Sequence, residues 1–579
     1  MLQSKKEKVL LFSLCLLALI ARFICLPYTQ IVDADTVTRI FIASDLLENF
    51  SIISEGVWLP MHHYLNAIAI FLFSNRINGP VILHILISVL TAVPLYYFTK
   101  RVFTMRGAFF TVALFLFNPL FFRYSFQVLS EIPYLFFLAL TLNFISKALE
   151  TKQFKHVVYA GIFATLGAGF RYEFWLMIAV FTLIFILKKQ YKSAFLFTSI
   201  ALLFPLFWMI GNFIAHRHFF YGVTGVYNTS DILRYNSNLN DVEVMKRAVF
   251  YPFSYFFSIS PLLIIGLVIF FFKKIYQRSF TKIIWILPFF VMLVFYLYKT
   301  NNGTLLLQHR FSLSLLLLSI PFTALFFSNK KNNRLLAFFS VLVVVTQMPL
   351  SYIWMQLKIE KLAPSKSVLH QVISDIRVQS LSDFNAIPQI EHKEFNGISD
   401  VIVQQKSAGI LLDFIDWETT YFLAITSKIP NKHIFIENVD EDSFVRLTRT
   451  AAFLKAHPKG IIQLKCGTKF DQMFEYTGKY LYLNSPEKVC LNVELIHQFL
   501  TVSTFNYSVI KKYPTQKIEQ GDKSKCPKEN SSDWYYQLIY FDKNWYNHIK
   551  SELPIFTMNC SKSIRENADW MVKEQLKKK

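Results

Sequence analysis

Residues 9–40 read VLLFSLCLLALIARFICLPYTQIVDADTVTRI, and this stretch predicts a membrane helix followed at once by acidic groups. The apolar run 9–27 is long enough to span a bilayer and too long for the apolar part of a signal peptide. Arg22 inside it is expected to reach toward the interface or to pair with an acid outside the membrane. Asp33 and Asp35 follow where the chain leaves the lipid, so this loop is the first candidate for a functional site.

The composition of the whole chain is that of a protein with many membrane spans. Of its 579 residues, 54% are hydrophobic and 17% are charged, whereas soluble domains carry about 25% charged residues. Apolar runs of spanning length predict eleven transmembrane helices. They lie at about residues 9–27, 80–99, 107–122, 131–147, 157–170, 174–188, 193–215, 253–272, 282–298, 311–328 and 335–352.

The net charge of +22 is concentrated in the apolar part of the chain. Residues 1–352 carry 30 Lys and Arg against 12 Asp and Glu, a net of +18, and residues 353–579 carry 30 against 26, a net of +4. The basic clusters occupy every second connection between the predicted helices, as the positive-inside rule requires for a cytoplasmic N-terminus. The basic excess therefore orients a membrane protein, and it argues against nucleic acid as a partner.

The predicted external face differs in composition from the cytoplasmic face. Ten of the twelve acids in residues 1–352 lie on or near it, and its basic residues are mostly arginine, whereas the cytoplasmic ones are mostly lysine. A planar guanidinium matches phosphate and carboxylate groups, so the external face has the composition of a binding site. The acids are Asp33, Asp35, Asp45, Glu48, Glu55, Glu131, Glu173, Asp231, Asp241 and Glu243, and the arginines are Arg39, Arg76, Arg123, Arg171, Arg217, Arg234, Arg247 and Arg310.

These patterns predict a polytopic α-helical membrane protein with a C-terminal soluble α/β domain. The membrane domain takes residues 1–352, with external loops 28–79 and 216–252, and the extracytoplasmic domain takes residues 353–579. In the first loop, TVTRIFIASDLLENF predicts an amphipathic helix, and WLPMHHYLNAIAIFLF predicts a helix that lies on the membrane or dips into it.

The C-terminal region alternates short apolar runs with helical patterns. GILLDFI, DWETTYFLAITSKI, KHIFIENV, DEDSFVRLTRTAAFLKAH and GIIQLKC predict β-α-β-α-β with a mainly parallel sheet, and YYQLIYF predicts one more strand. Four cysteines in this region allow two disulfides in three connectivities. They are Cys466, Cys490, Cys526 and Cys560.

Each external ionisable group has both a structural and a functional interpretation. Asp35 can cap a helix or take a proton from an acceptor hydroxyl. Glu131 can interact favourably with a helix dipole or take part in a functional site. Arg171 and Glu173 can pin a tight turn as an ion pair, and Arg310 can anchor a helix or bind a phosphate. The remaining candidates for substrate contact are Arg39, His62, His63, Arg123 and His309. The chain has no metal-site spacing and no nucleotide-binding loop, so we expect no metal-ligand residues and no soluble cofactor, and a requirement for a divalent metal stays open.

Several of these stretches resemble the GT-C glycosyltransferases, in particular the protein O-mannosyltransferases and the bacterial aminoarabinose and Rgt-type transferases. The chain has W-x-P-x-H-x-Y-L at 58–65, after an acid that opens an amphipathic helix. Asp35 and Ala43 match the family pattern D-E-A-x-x-x-x-x-A, but the family's second acid is Thr36 here. The resemblance covers roughly residues 5–350. It extends to SEIPY at 130–134, RYE at 171–173 and HRF at 309–311.

The resemblance implies transfer of a sugar from a polyprenyl-phosphate lipid to a hydroxyl of a protein, lipid or glycan outside the cytoplasm. Asp35 would be the general base, Asp33 and Glu131 would assist it, and Arg39, Arg123, Arg171 or Arg310 would neutralise the leaving phosphate. The expected location is a bacterial inner membrane with the site and the C-terminal domain in the periplasm, and the endoplasmic reticulum is the alternative.

Three other functions stay open at this point. A lipid-linked glycan ligase or polymerase differs from the first interpretation only in the size of its donor. A transporter or flippase is disfavoured because the charges gather on one side, whereas a transporter carries them at the midplane between repeats. A non-catalytic assembly subunit would use the C-terminal domain as its binding module.

Overall fold

The computed structural model forms two compact units. Met1–Ile31 with Asn49–Pro388 form one, here called the membrane unit, and Val32–Glu48 with Gln389–Lys579 form the other, here called the α/β unit. The structure describes residues 2–26, 34–50, 58–223, 251–252, 266–272, 283–302, 304–305, 308–327, 409–412, 417–427, 429–436, 453, 457, 460–465, 508–514 and 535–541.

The described residues of the membrane unit form helices joined by turns and short irregular segments. Among the described residues, four 3-10 segments lie at Ile284–Ile286, His309–Phe311, Ile320–Phe327 and Asn431–His433, and the first three belong to this unit. The α-helices whose two ends the structure describes are, in chain order, α1 (Leu2–Cys25), α2 (Ala34–Glu48), α3 (Met61–Phe73), α4 (Asn78–Leu90), α5 (Ala92–Val102), α6 (Met105–Leu116), α7 (Pro119–Tyr124), α8 (Glu131–Thr151), α9 (Phe154–Ala168), α10 (Glu173–Leu187), α11 (Tyr191–Ala201), α12 (Leu203–His216), α13 (Leu287–Asn301), α14 (Ser312–Ser319) and α15 (Trp417–Thr426).

Within the described part of the chain, five helical segments are long and apolar enough to cross a membrane. They are Lys5–Cys25, Asn78–Val102, Glu131–Thr151, Tyr191–His216 and Ile284–Asn301. Shorter apolar helical segments run over Met61–Phe73, Met105–Leu116, Glu173–Leu187 and His309–Leu325. The predicted span at 335–352 and most of that at 253–272 lie outside the described residues. The number eleven therefore stays a prediction.

The single helix predicted at 107–122 is wrong, because the chain breaks between α6 and α7. Asn118 has an extended backbone, and its side chain accepts hydrogen bonds from the backbone N–H groups of Leu120 and Phe121 at 3.1 and 3.2 Å. Pro119 follows at the first helical position, where its missing N–H costs nothing. Hydrophobicity alone does not register this pair of start signals.

The helix predicted at 311–328 also departs from a regular α-helix. It opens as a 3-10 turn at His309–Phe311, continues as α14, and becomes a 3-10 helix from Ile320 to Phe327. Pro321 lies at this change, and proline can neither donate the α-helical hydrogen bond nor fit against the carbonyl four residues earlier.

Arg22 was expected to reach the interface or to pair with an acid, and this prediction is wrong. The residue is fully buried in α1. Its guanidinium donates from Nε to Ser125 Oγ at 3.0 Å, and from the two terminal nitrogens to the carbonyls of Ala18 and Leu116 at 3.1 and 2.9 Å. Leu116 is the last residue of α6, so the cation satisfies a carbonyl that the helix itself leaves without a partner.

Helix α6 packs closely against the Ile320–Phe327 segment at Gly107. A Cβ atom at Gly107 would lie 2.6 Å from both the Cβ and the carbonyl oxygen of Ala324, and 2.9 Å from its Cα. These are mostly backbone atoms, which cannot rotate away. The glycine therefore sets the distance between the two segments.

Replacement of Gly107 by valine is expected to lower the free energy of unfolding by about 1–3 kcal/mol or more, because the added carbons must separate two packed backbones. The matched control is Phe110→Leu on the same helix, since the Phe110 side chain is 48% exposed. Chemical unfolding in detergent measures both variants. Equal stability of the two would show that the contact at Ala324 is not a tight one.

The α/β unit contains a five-stranded sheet in the order β2-β1-β3-β5-β4. Its strands are β1 (Ile410–Leu412), β2 (Ile434–Ile436), β3 (Gly460–Lys465), β4 (Ser508–Pro514) and β5 (Tyr535–Phe541). β1 pairs in parallel with β2 and β3, whereas β5 pairs antiparallel with β3 and β4. The sheet is therefore mixed rather than mainly parallel.

Most elements of this sheet lie where the sequence places them. GILLDFI contains β1, DWETTYFLAITSKI contains α15, KHIFIENV contains β2, GIIQLKC contains β3, and YYQLIYF is β5. Strand β4 was not predicted from the sequence. The four C-terminal cysteines and nearly all of the predicted second helix lie outside the described residues.

Helix α2 belongs to the α/β unit, although it comes from the loop after the first membrane helix. Ile40, Ala43 and Leu46 are buried, as the predicted amphipathic spacing requires, whereas Leu47 is 46% exposed. The ring of Phe41 meets the ring of Tyr421 on α15 edge to face, with 5.3 Å between the centroids. The loop and the C-terminal region thus fold together.

Candidate functional site

An ion-pair network joins the ends of three helices in the membrane unit. Arg171 lies in the turn between α9 and α10, and its guanidinium grips Glu173 with two hydrogen bonds, Nε to Oε2 at 3.2 Å and Nη2 to Oε1 at 2.5 Å. Its third nitrogen, Nη1, donates to Oε1 of Glu131, the first residue of α8. The turn-pinning pair foreseen from RYE is present, and it is tied to a third helix as well.

Arg310 brings a second guanidinium to the same carboxylate. Its Nε lies 3.4 Å from Glu131 Oε1. The ring of Phe311 lies beneath both cations, with the guanidinium carbons of Arg171 and Arg310 5.0 and 5.4 Å from its centroid. Two carboxylates, two guanidinium groups and one aromatic face thus form a single cluster, here called the 131/171/310 cluster.

The cluster is largely removed from water. The side chain of Glu131 is 4% exposed, and those of Arg171, Glu173 and Arg310 are 10 to 14% exposed. Burial alone would lower the pKa of Arg171, but Glu131 and Glu173 outweigh burial and raise that pKa well above its usual value. Arg171 therefore remains charged, and its three kinds of nitrogen are already engaged by carboxylates.

Two further predicted residues lie close to this cluster. His309 is fully buried in the 3-10 turn that also carries Arg310 and Phe311. Arg123 on α7 is 6% exposed, and α7 packs against that same turn. The two arginines and two glutamates of the cluster balance in charge, so Arg123 supplies an excess positive charge beside them. An arginine at a helix end, mostly removed from water, suits the binding of a phosphate.

Asp35 and Arg39 lie on α2 in the α/β unit. Asp35 is in the first turn of the helix and is partly exposed, and Arg39 is buried, one turn further along. Asp33 lies outside the described residues. The predicted general base thus lies in the first turn of a helix, where a carboxylate interacts favourably with the helix dipole.

The predicted pair His62 and His63 opens α3, and both side chains are buried. His62 belongs to a cluster that sequence reasoning missed. His84 on α4 lies with its Nδ1 2.8 Å from the carbonyl oxygen of Pro80, so Nδ1 carries the proton. His84 Nε2 then lies 3.3 Å from His62 Nε2, and Asn66 Nδ2 lies 3.2 Å from each of the two ring nitrogens of His62.

These contacts join two imidazoles and an amide between α3 and α4. The signals were present in the sequence: His84 interrupts the apolar run NGPVILHILISVL, and Asn66 lies one helical turn after His62. Within the described residues, no group of three or more His, Cys, Asp or Glu side chains is arranged to hold a metal ion.

Comparison with known proteins gives one family match. Residues 59–211 match the family model described as dolichyl-phosphate-mannose-protein mannosyltransferase. The match includes Glu131, Arg171 and Glu173, whereas Asp35 and Arg310 lie outside it. No curated protein sequence matches the chain.

Solved structures extend the likeness to the fold. ArnT from Cupriavidus metallidurans, bound to undecaprenyl phosphate, is 11% identical with a TM-score of 0.52, over 91% of this chain and 97% of that one. The Archaeoglobus fulgidus oligosaccharyltransferase, in complex with zinc and sulfate, is 12% identical with a TM-score of 0.46, over 87% and 72%. The S. cerevisiae Pmt1-Pmt2 complex, bound to the sugar donor, is 17% identical with a TM-score of 0.32, over 37% and 34%.

Proposed function

We propose a mechanism for this chain, which belongs to the GT-C glycosyltransferases and is an integral multi-pass membrane enzyme dependent on a polyprenyl-phosphate sugar. The family predicted from the sequence is confirmed. The proposal concerns the residues, the acceptor and the side of the membrane. The observation that carries it is the 131/171/310 cluster, which gathers buried guanidinium groups at helix ends within and beside the matched region.

The leaving phosphate is bound by Arg310, with Arg123 as the second cation. Arg171 is not the phosphate ligand, because its Nε, Nη1 and Nη2 already donate to Glu131 and Glu173. Arg171 instead holds Glu131 in place, and Glu131 in turn orients Arg310 from 3.4 Å. Positive charge fixed before the reaction stabilises the phosphate as its bond to the sugar breaks.

Asp35 is the general base. The acceptor hydroxyl attacks the anomeric carbon, its proton passes to the Asp35 carboxylate, and the phosphate leaves with the electron pair of the broken C–O bond. An ionised carboxylate in the first turn of α2 has the protonation state that this step needs. In this scheme the arginines neutralise the charge of the leaving phosphate.

The transfer takes place on the extracytoplasmic side of a bacterial inner membrane, to a protein, lipid or glycan hydroxyl. Support comes from the alternation of basic clusters, which assigns the acids and arginines to the face opposite the cytoplasm. His62 and His63 belong to the predicted external loop 28–79, and in this scheme they contact the acceptor.

Replacement of Arg310 by alanine is expected to raise the KM for the lipid donor by at least about tenfold, because a charged hydrogen bond to phosphate is lost. Arg310→Lys keeps the charge but lacks the planar guanidinium, so its donor KM should lie between that of the parent protein and that of Arg310→Ala. Release of polyprenyl phosphate is measured in proteoliposomes given polyprenyl-phosphate mannose or aminoarabinose, with a total membrane extract as acceptor. Arg76→Ala, at a partly buried arginine before α4, is the control and should leave the KM within about twofold. An unchanged donor KM in Arg310→Ala would remove this residue from the phosphate site.

A further inference from the structure

Helix α2 is attached to the α/β unit by hydrogen bonds from one short segment. The side chain of Asn431 donates from Nδ2 to the backbone carbonyl of Phe41, at 3.0 Å, in the middle of the helix. Asn431 lies 390 positions further along the chain and is 5% exposed. This partly buried bond goes to the main chain, so it does not depend on which side chain stands at position 41.

A second attachment holds the C-terminal end of the same helix. The Glu48 carboxylate accepts from two consecutive backbone N–H groups, that of Asn431 at 2.8 Å and that of Lys432 at 3.2 Å. These two residues open the 3-10 turn that leads directly into β2. The helix is thereby tied to the segment that enters β2, and the ring contact of Phe41 with Tyr421 ties it to α15 as well.

Two attachments at different heights, together with a ring contact, fix a helix against both sliding and rotation. Asp35 is six residues before Phe41, about 9 Å along the helix axis at the usual rise. A general base must lie within hydrogen-bond reach of the proton it takes, and a misplacement of about 1 Å can cost about a hundredfold in rate. Small movements of α2 therefore bear directly on the position of Asp35.

We propose that the α/β unit positions the candidate base, and that Asn431 and Glu48 are the positioning residues. The inference rests on the proposed function for the role of Asp35. It gives the C-terminal region a part in catalysis without contact with the reacting atoms: the region supplies a rigid support for a helix that comes from the other end of the chain.

The test uses Asn431→Leu in the full-length protein, since leucine is close in size to asparagine and lacks the amide donor. We expect kcat to fall about tenfold or more while the KM for polyprenyl-phosphate mannose stays unchanged. Hydrogen exchange of the amides in 34–48 should become faster, and that of β1 should not change. Lys432→Ala is the matched control, because Lys432 is exposed and meets Glu48 only through its backbone N–H, which alanine keeps.

Glu48→Ala provides a second, independent variant at the other attachment, and it should produce the same pattern. If both variants keep the exchange rates of 34–48 and the kcat of the parent protein, the α/β unit does not position α2 and the inference is wrong. Faster exchange with an unchanged kcat would equally overturn it. Failure of the proposed function is distinguishable, because it would show as full activity of Asp35→Asn, whatever the exchange pattern.

Discussion

The Asp35→Asn variant should lose between about a hundredfold and ten-thousandfold of the transfer rate, the range that a positioned general base contributes. Asparagine has nearly the shape of aspartate but cannot take the acceptor proton. The first turn of α2 should tolerate it, because asparagine also accepts hydrogen bonds near a helix start. Release of polyprenyl phosphate in proteoliposomes measures the rate, and thermal unfolding checks the fold.

Asp45→Asn is the matched control for this experiment. Asp45 lies on the same helix, is also partly exposed, and has no part in the proposed reaction. It should retain nearly full activity. An active Asp35→Asn variant would exclude Asp35 as the base, whereas equal losses in both variants would point to the helix as a whole rather than to one carboxylate.

Replacement of Arg171 by methionine should cost about 3–5 kcal/mol of unfolding free energy, because it leaves two buried carboxylates without their shared cation. Activity should fall with it, since Glu131 loses the contact that holds it beside Arg310. Unfolding of the purified protein in mixed micelles measures the loss. A change below about 1 kcal/mol would mean that the cluster does not hold the three helix ends together.

Two further variants show whether Arg171→Met loses stability through uncompensated charge or through loss of packing. Arg171→Met combined with Glu131→Gln should recover part of the stability, because one of the uncompensated charges is gone. Glu150→Gln removes the partner of Arg101 in another ion pair, with N and O 3.0 Å apart. The Glu150 side chain is 63% exposed, so this variant should change stability by no more than about 1 kcal/mol.

The helical membrane fold could be predicted from the sequence because its main signal is local. A run of about 20 apolar residues must form a helix in lipid, whatever surrounds it. The break between α6 and α7 and the change to a 3-10 helix after α14 were predictable in principle from Asn118-Pro119 and Pro321. A hydrophobicity pattern misses them because it averages over single helix-breaking residues. Within the described residues, the presence of helices was thus predicted correctly more often than the points at which they are interrupted.

The site residues were recognisable singly but not as an arrangement. The RYE motif predicts the local pair of Arg171 and Glu173, which are two positions apart. Glu131 is 40 positions from Arg171, and no spacing rule brings them together. His84 was overlooked because a single polar residue does not interrupt an apolar run enough to stand out. The attachment of α2 to Asn431, 390 positions away, could not be inferred from any local pattern.

The burial of Arg22 has a consequence for biosynthesis. The first helix enters the bilayer with a cation whose partners at Leu116 and Ser125 are 94 and 103 positions later in the chain. Until those residues have emerged from the ribosome, the Arg22 guanidinium can hydrogen-bond only to water or to lipid headgroups. We therefore expect α1 to reach its final depth in the bilayer only later. The insertion of α1 is thus completed only after α6 and α7 have been synthesised. Truncations that end before residue 116 should leave α1 shifted toward the headgroup region.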